Sequence, residues 1–506
     1  MTPVTAAALL AMMGGGEAWV APVTWVDKPM AVSRAATVLR GEFHTFVVGN
    51  VAECRVAAPA EVQAKVFAVT CYPAYLYGKW HLVPYFMPTV EQLEPGTKPS
   101  GLWAVRFKAD LPPGKHKFKV HIAPNDQRPP LEYPFEVVDV EIPPADIPFG
   151  MFYDFKRIAE EYRGPDFQDK YFKDMAEHGM TTSVINWFKS EDRIWQYKLM
   201  QKHGMDRFPV VLISRFEWWK DPSVVSRPLV RPNIPEDSRL LFDGSKFMMY
   251  GQDEPKAVSA LPILDYERKR ANHLSMKYIT AMSYETPRSF YKHLDVWMIE
   301  VHVASTPVVR EYARRHGAPV WLYVTIRGTG AKLQRYCSGL YTWAVGGKGL
   351  FRWAYVHTAD SHVRPDGVWN EFMWFGHVLP SPDGPISTIG WEGVREGVLD
   401  YRILRALEER LIAAAEDSPG DDYSANVGTE KQNSYNKKLS AAGVWLARLR
   451  NSVDPKWYHN LDLKLDQVPG KHRPSEGGGP LDAYDPGIDL TKMRAEAISL
   501  LSEFAE

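Results

Sequence analysis

Beyond Pro143-Pro144 the chain settles into one rhythm, in which short apolar runs alternate with amphipathic segments of helical length. Eight such runs occur: FGMFYDF (149 to 155), TTSVINW (181 to 187), RFPVVLI (207 to 213), KFMMYG (246 to 251), KYITAMSY (277 to 284), DVWMIEV (295 to 301), PVWLYVT (319 to 325) and GLFRWAYV (349 to 356). Between them lie the helix candidates DKYFKDMAEHG (169 to 179), IWQYKLMQKHG (194 to 204), the stretch 255 to 274, and PVVREYARRHG (307 to 317). Three of these end in Gly, the residue that tolerates the left-handed turn after a helix. Strands alternating with helices make parallel βα units, and eight of them are the number that closes a (β/α)8 TIM-type barrel. An active site would then lie at the C-terminal ends of the strands. A doubly wound open sheet is the alternative, because strand count alone does not prove closure.

Before this region, residues 19 to 144 show short alternating runs separated by Pro and Gly. In LWAVRFKADLPPGKHKFKVHIA (102 to 123), Trp103, Val105 and Phe107 face one way and Arg106 and Lys108 the other, with a turn at Pro112-Pro113-Gly114. This predicts an N-terminal antiparallel β-sandwich. After the barrel segment (147 to 390), residues 391 to 506 predict a helical C-terminal extension. It opens with WEGVREGVLDYRILRALEERL (391 to 411), where Val394, Val398, Tyr401, Leu404, Leu407 and Leu411 recur at helical spacing. Arg395, Glu396 and Asp400 on that helix are expected to form buried ion pairs. The polar stretch 418 to 438 reads as a loop, further helices as 439 to 449 and 490 to 504, and the Gly-Pro-rich stretch 469 to 487 as a linker or surface strap.

Composition narrows the function classes. Sixty basic residues against sixty-one acidic give a net charge of -1, so no overall field favours nucleic acid or an anionic membrane. No stretch reaches the roughly 18 apolar residues that a bilayer span needs. Three cysteines at irregular spacing fit neither a disulfide framework nor a zinc cluster; the one bridge open to them is Cys54 to Cys71. Residues 5 to 13 are apolar, but no Lys or Arg precedes Lys28. A weak or trimmed signal peptide there would make the protein secreted or periplasmic; otherwise it is cytoplasmic.

The chemistry concentrates in KFMMYGQDEPKAV, where a strand runs out at Gly251, two adjacent carboxylates follow, and Pro255 takes the N1 position of a helix. Asp253 and Glu254 thus fall at the catalytic face of the fourth strand. Two carboxylates so close cannot both ionise freely, and one can stay protonated as a general acid. The plain alternative is a helix start whose acidic residues complement the helix dipole. Adjacent residues fit poorly to the scheme in which acid and nucleophile flank a glycosidic bond from different strands. They suit substrate-assisted hydrolysis: a 2-acetamido oxygen attacks the anomeric carbon, one carboxylate orients the amide, and the other moves the proton.

Several strings resemble one family. Tyr-x-x-Asp-Glu-Pro at 250 to 255, GMFYD at 150 to 154, PVWLYV at 319 to 324 and REGVLDYRIL at 395 to 404 look like the family 123 glycoside hydrolases, β-N-acetylgalactosaminidases. GEFHTF (41 to 46) and LPPGKHKFKV (111 to 120) resemble the accessory sandwich such proteins carry, so the likeness spans residues 19 to 411. It implies Asp253 as amide orienter, Glu254 as acid/base, no cofactor, and a glycan or glycoconjugate substrate with GalNAc favoured over GlcNAc. The chain departs from the family in a shortened link after the third strand, in its helical tail, and in GQDEP, where an aromatic more often precedes the acid pair.

Other residues at strand ends make up the candidate sugar pocket: Tyr153 with Asp154, Asn186, Trp187, Tyr284, His302, Tyr323, Trp353 and Tyr355. A pyranose wants aromatic planes against its C–H face and polar groups for its hydroxyls. His357, Asp360 and His362 have the spacing of loop metal ligands, but no second cluster completes a site, and no metal is expected. Glu285 and Glu300 are the carboxylates nearby that could act as a separate nucleophile on a sugar lacking the acetamido group. A glycan-binding protein without catalysis is the remaining alternative.

Overall fold

The computed structural model describes residues 18–23, 35–51, 53–59, 61–69, 71–76, 79–84, 86–89, 101–121, 129–153, 163–185, 190–213, 240–241, 243–255, 260–283, 286, 288–304, 306–325, 330–356, 376–381, 383–416, 430–454 and 487–504. Its centre is a closed parallel barrel. Phe149–Tyr153, Thr182–Ile185, Val210–Ile213, Phe247–Tyr250, Lys277–Met282, Val296–Glu300, Val320–Val324 and Leu350–Arg352 pair in sequence order. Phe149 lies beside Leu350, which joins the first strand to the eighth and excludes the open sheet.

Because barrel strands are buried on both faces, their alternation divides two cores. Phe152, Val184, Val211, Met248, Tyr250, Ile279, Met298, Trp321, Tyr323 and Phe351 fill the barrel. Their neighbours, among them Tyr153, Ile185, Leu212, Met249, Tyr278, Trp297 and Leu322, belong to the layer between barrel and helices. The helices follow the expected order: Pro165–Glu177, Ser190–Lys202, Leu261–His273 and Pro307–His316. The third begins six residues beyond Pro255, so the acid pair lies outside it.

The N-terminal region is a sandwich of two four-stranded sheets around Phe46, Phe107, Phe118, Tyr133 and Phe135. The far face of one sheet is covered as well: Val47, Phe67, Leu102 and Ala104 meet Ala331 and Ile389 from the barrel side. Phe86–Met87 pairs with Ile386–Thr388 in a small sheet that ties the two regions together. Cys54 is a buried free thiol whose pKa is pushed up to about 12 by burial, and the side chain of Cys71, its expected bridge partner, lies outside the described residues. Residues 430 to 438, expected as loop, lie within the helix Glu430–Ser452; the strap at 469 to 486 lies outside the described residues.

The helix Ile389–Glu416 carries three buried carboxylates at successive turns, Glu392, Glu396 and Asp400. Glu392 accepts from Thr45 of the sandwich (2.8 Å) and pairs with Arg106 and with Arg395 (2.8 Å), while His178 stands 3.3 Å away. Glu396 pairs with Arg494 of the C-terminal helix Leu490–Glu503 and faces His44 at 3.4 Å. Asp400 is gripped by Arg335 (2.6 Å) and Arg494 (2.5 Å). Gly397 allows this approach, since a side chain there would overlap the carbonyl of Arg335 and Ser338 Cβ. Burial alone would raise the pKa of Glu392 and Glu396, but Arg106 and Arg395 at the first and Arg494 at the second hold them well below the usual range. The expected ion pairs of Arg395, Glu396 and Asp400 are thus present, within a wider network.

Removing one partner leaves a buried charge uncompensated. Arg494→Met should therefore cost roughly 3–5 kcal/mol of stability in chemical denaturation. Carboxylates with depressed folded-state pKa values bind fewer protons folded than unfolded, so the stability they give is complete above the ordinary glutamate range. It should fall as pH drops through their depressed values, and denaturation midpoints measured from pH 7 to pH 2 should decline on that acid side.

Candidate active site

The fourth strand ends at Tyr250, whose side chain points into the barrel, and the next five residues form a loop across its mouth. Gly251 and Glu254 keep hydrogen bonds to the fifth strand, from Gly251 N–H to Ile279 O and from Glu254 N–H to Ala281 O, both 3.1 Å. Glu254 has a positive φ of 40°, a conformation that costs a non-glycine residue energy and tends to cluster at functional sites. A helix start would need none of this.

Tyr250 Oη donates to Asp253 Oδ1 and accepts from Ala281 N–H at 3.2 Å. Burial first, and then the charge of Asp253, push the Tyr250 hydroxyl well above its ordinary range, so it remains a donor. Asp253 has exposed surface, yet protein crowds its carboxyl on most sides. Loss of bulk water raises the Asp253 pKa, against the opposing hydrogen bonds from Tyr250 and the Glu254 backbone.

Tyr323, at the end of the seventh strand, feels Asp253, Glu254 and Glu300 after the dominant effect of burial, and these together keep its hydroxyl protonated. Phe152 lies at the centre of the wall, with ring centroids 5.6 Å from Tyr250, 5.5 Å from Tyr323 and 5.2 Å from Trp353. Asp253, Glu254, Tyr323 and Trp353 therefore gather at one end of the barrel interior, joined by Tyr250, Phe152 and Glu300.

Two expected pocket residues belong elsewhere. Tyr153 packs on Tyr171 and Phe172 of the first helix, and Tyr355 packs between Tyr171 and Trp391 while donating to Asp174 at 2.7 Å. Both belong to the layer between barrel and helices: strand parity sends Phe152 inward and Tyr153 outward, and Tyr355 lies beyond the end of the eighth strand at Arg352, where parity no longer applies. Asp154, Asn186, Trp187, Tyr284, Glu285, His357, Asp360 and His362 lie outside the described residues, as does the side chain of His302 on the short helix Val301–Ala304. Among the described residues no group of His, Cys, Asp or Glu could hold a metal ion, and no helix is long and apolar enough to cross a membrane.

The sequence reading missed the support of the loop. Glu267, from the helix behind, accepts from Gln252 N–H (2.9 Å) and from Tyr278 Oη, and Thr280 Oγ1 donates to Gln252 O. No periodicity marks these residues. The Tyr250 contact had one available signal, a tyrosine three residues before an aspartate at a strand end.

No family model matches the sequence, and no curated protein matches it. Among solved structures the chain is similar to a family 123 glycoside hydrolase from Clostridium perfringens, described in terms of glycolipid glycan hydrolysis. Identity is 12%, coverage 89% of this chain and 100% of that one, and the TM-score 0.56. An endo-β-1,4-mannanase from Thermotoga petrophila aligns with 51% of this chain and 76% of its own at 10% identity and a TM-score of 0.35. Gas2p of Saccharomyces cerevisiae aligns with 57% and 68% at 11% and 0.33. The first likeness spans nearly the whole chain, and this protein has the fold of a family 123 glycoside hydrolase.

Tyr250→Phe removes a donor that favours the ionised form of Asp253. The titration of Asp253 should move to higher pH, read by carboxyl infrared or ¹³C NMR and assigned with Asp253→Asn; an unmoved titration would show that the hydroxyl does not act on it.

Proposed function

We propose that this protein is a glycoside hydrolase that releases terminal β-linked N-acetylhexosamine, GalNAc in preference to GlcNAc, from a glycan or glycoconjugate by substrate-assisted, retaining hydrolysis. One observation carries the reading: Asp253 and Glu254 are neighbours on a shaped loop at the C-terminal end of a barrel strand, with Asp253 held by a neutral hydroxyl. The family 123 fold supports it.

In this scheme the acetamido oxygen of the substrate attacks C1 while Glu254 protonates the departing glycosidic oxygen. Asp253 accepts the amide N–H and balances the positive charge of the oxazolinium as it forms, so its contribution peaks in the transition state. Water then opens the oxazoline from the same face that the leaving group left, with Glu254 taking its proton, and configuration is retained. Tyr323 and Trp353, with Phe152 behind them, supply the aromatic wall on which a pyranose can lie.

A second reading has one observation in its favour. Glu300 is close enough to act on Tyr323, so a sugar without the acetamido group would find a nucleophile on another strand. Aryl glycosides differing only in the sugar separate the two. Turnover confined to the N-acetylhexosaminides, inhibition by an oxazoline-mimicking thiazoline and no adduct with a 2-fluoro sugar support substrate assistance. A covalent glycosyl-enzyme on Glu300 would replace it, and no turnover at all would favour a binding protein.

Within the first reading, Glu254→Gln should lose about 10²- to 10⁴-fold on a substrate whose leaving group needs a proton, and much less on an activated aryl glycoside. Asp253→Asn should raise the barrel-mouth reaction's barrier by about 2–4 kcal/mol, seen in kcat more than in KM. Asp253 must be ionised to balance the positive charge of the oxazolinium. With its pKa raised by burial, the acid limb of the wild-type kcat/KM profile should lie above the ordinary aspartate range.

A further inference from the structure

The helix that follows the acid pair contains a carboxylate that the proposed reaction does not use. Glu267 lies on the inner face of Leu261–His273 and is buried at 2% exposure. Its Oε2 alone accepts two hydrogen bonds, from the Gln252 N–H and from the Tyr278 hydroxyl. Gln252 is the residue immediately before Asp253, and its carbonyl is held by Thr280. Gly251, one residue earlier, has no room for a side chain, because a Cβ would overlap both Tyr278 Oη and Glu267 Oε2. The loop is therefore clamped from two sides: the fifth strand takes Gly251 and Glu254, and the helix takes Gln252.

From this geometry we infer that Glu267 is the positioning residue for the Asp253–Glu254 pair, fixing with Tyr278 the height of the loop over the barrel. The inference rests on the proposed catalytic role of that pair. A carboxylate is a costly way to fill a helix–barrel interface, where a leucine would pack without desolvating a charge. What the carboxylate adds is a strong acceptor for a backbone N–H next to the reacting groups, and charge-assisted bonds are stronger than neutral ones. A displacement of about 1 Å in such groups is enough to cost on the order of 10²-fold in rate.

Glu267→Leu removes the acceptor and keeps an apolar contact; Glu267→Gln keeps an oxygen able to accept both donors. The leucine variant should lose about 10- to 100-fold in kcat with KM within about 3-fold, and the glutamine variant should stay within about 3-fold of wild type. In an Asp253→Asn background the leucine change should cost less than about 3-fold, because Gln252, which Glu267 holds, adjoins Asp253, and a group acting through Asp253 loses its effect when that residue is disabled. Hydrogen exchange of the peptide covering 247 to 255 should quicken in the leucine variant and not in the glutamine one. Wild-type kcat in Glu267→Leu, a full additive loss in the Asp253→Asn background, or unchanged exchange would each overturn the inference. If the leucine variant fails to fold, Tyr278→Phe carries the test, with a loss of about 3- to 10-fold in kcat at constant KM expected and wild-type kcat overturning it. A wild type inert on every aryl glycoside would sink the hydrolase reading, while the exchange measurement would still decide whether Glu267 holds the loop.

Discussion

The buried carboxylates of the helix Ile389–Glu416 hold the parts of this molecule in one arrangement. Glu392 reaches the sandwich through Thr45 and Arg106, and the first barrel helix through His178. Glu396 and Asp400 reach the C-terminal helix through Arg494, and Asp400 reaches the helix Ala331–Tyr336 through Arg335. Four carboxylates, counting Asp174, sit among four guanidiniums, Arg106, Arg335, Arg395 and Arg494, so the buried cluster is close to neutral. Burial leaves His44 below its ordinary pKa and adds no lasting charge. Apolar packing is tolerant of sliding, whereas hydrogen-bonded ions have one good geometry; here that geometry specifies how sandwich, barrel and tail dock.

The docking matters for the barrel because the same helix closes its outer layer. Trp391 stacks on His178 (4.5 Å), donates to Asp174 (2.9 Å) and lies against Tyr355, next to the eighth strand. Trp353, two residues before Tyr355, enters the barrel and meets Phe152. Trp391 and Tyr355 thus connect the ion cluster to the chain segment that carries Trp353.

Much of this was legible in the sequence, for a physical reason. Strands buried on both faces must be apolar throughout, and eight such runs separated by capped helices leave few folds open. The same uniformity hides which residues face inward. In FGMFYDF both Phe152 and Tyr153 are aromatic, and only the closed sheet shows that Phe152 faces the site and Tyr153 the helices. Tyr355 misleads for another reason, since the eighth strand ends at Arg352 and alternation does not extend to it. Arg106 alternates in sequence like a residue on a solvated face, yet it reaches Glu392, because the face it shares is covered by the barrel. Asp-Glu-Pro reads equally well as a helix cap; the distinction lies in the Glu254 backbone and in a helix that begins only at Leu261. Glu267 and Tyr278 were invisible because they act through a backbone N–H, which leaves no side-chain pattern.

The molecule holds its carboxylates in two ways, and the difference is in their donors. Glu392 and Glu396 are desolvated but surrounded by guanidiniums, which outweigh the burial and keep them ionised over the whole neutral range. Such groups hold structure and are useless for moving protons. Asp253 takes its hydrogen bonds from a tyrosine hydroxyl and the Glu254 backbone, and Glu267 from a tyrosine hydroxyl and the Gln252 backbone. Both are oriented by neutral donors, and at Glu267 the field of Arg270 only partly offsets desolvation, so burial wins and both pKa values rise. A guanidinium beside Asp253 would stabilise its charge equally in the resting site and at the transition state. In the proposed reaction a hydroxyl would leave that charge under-compensated until a positive charge develops on the substrate, which is when its stabilisation would count toward rate. On that proposal, the choice of tyrosine over arginine as the partner of Asp253 is what separates a site able to respond to charge from one more salt bridge.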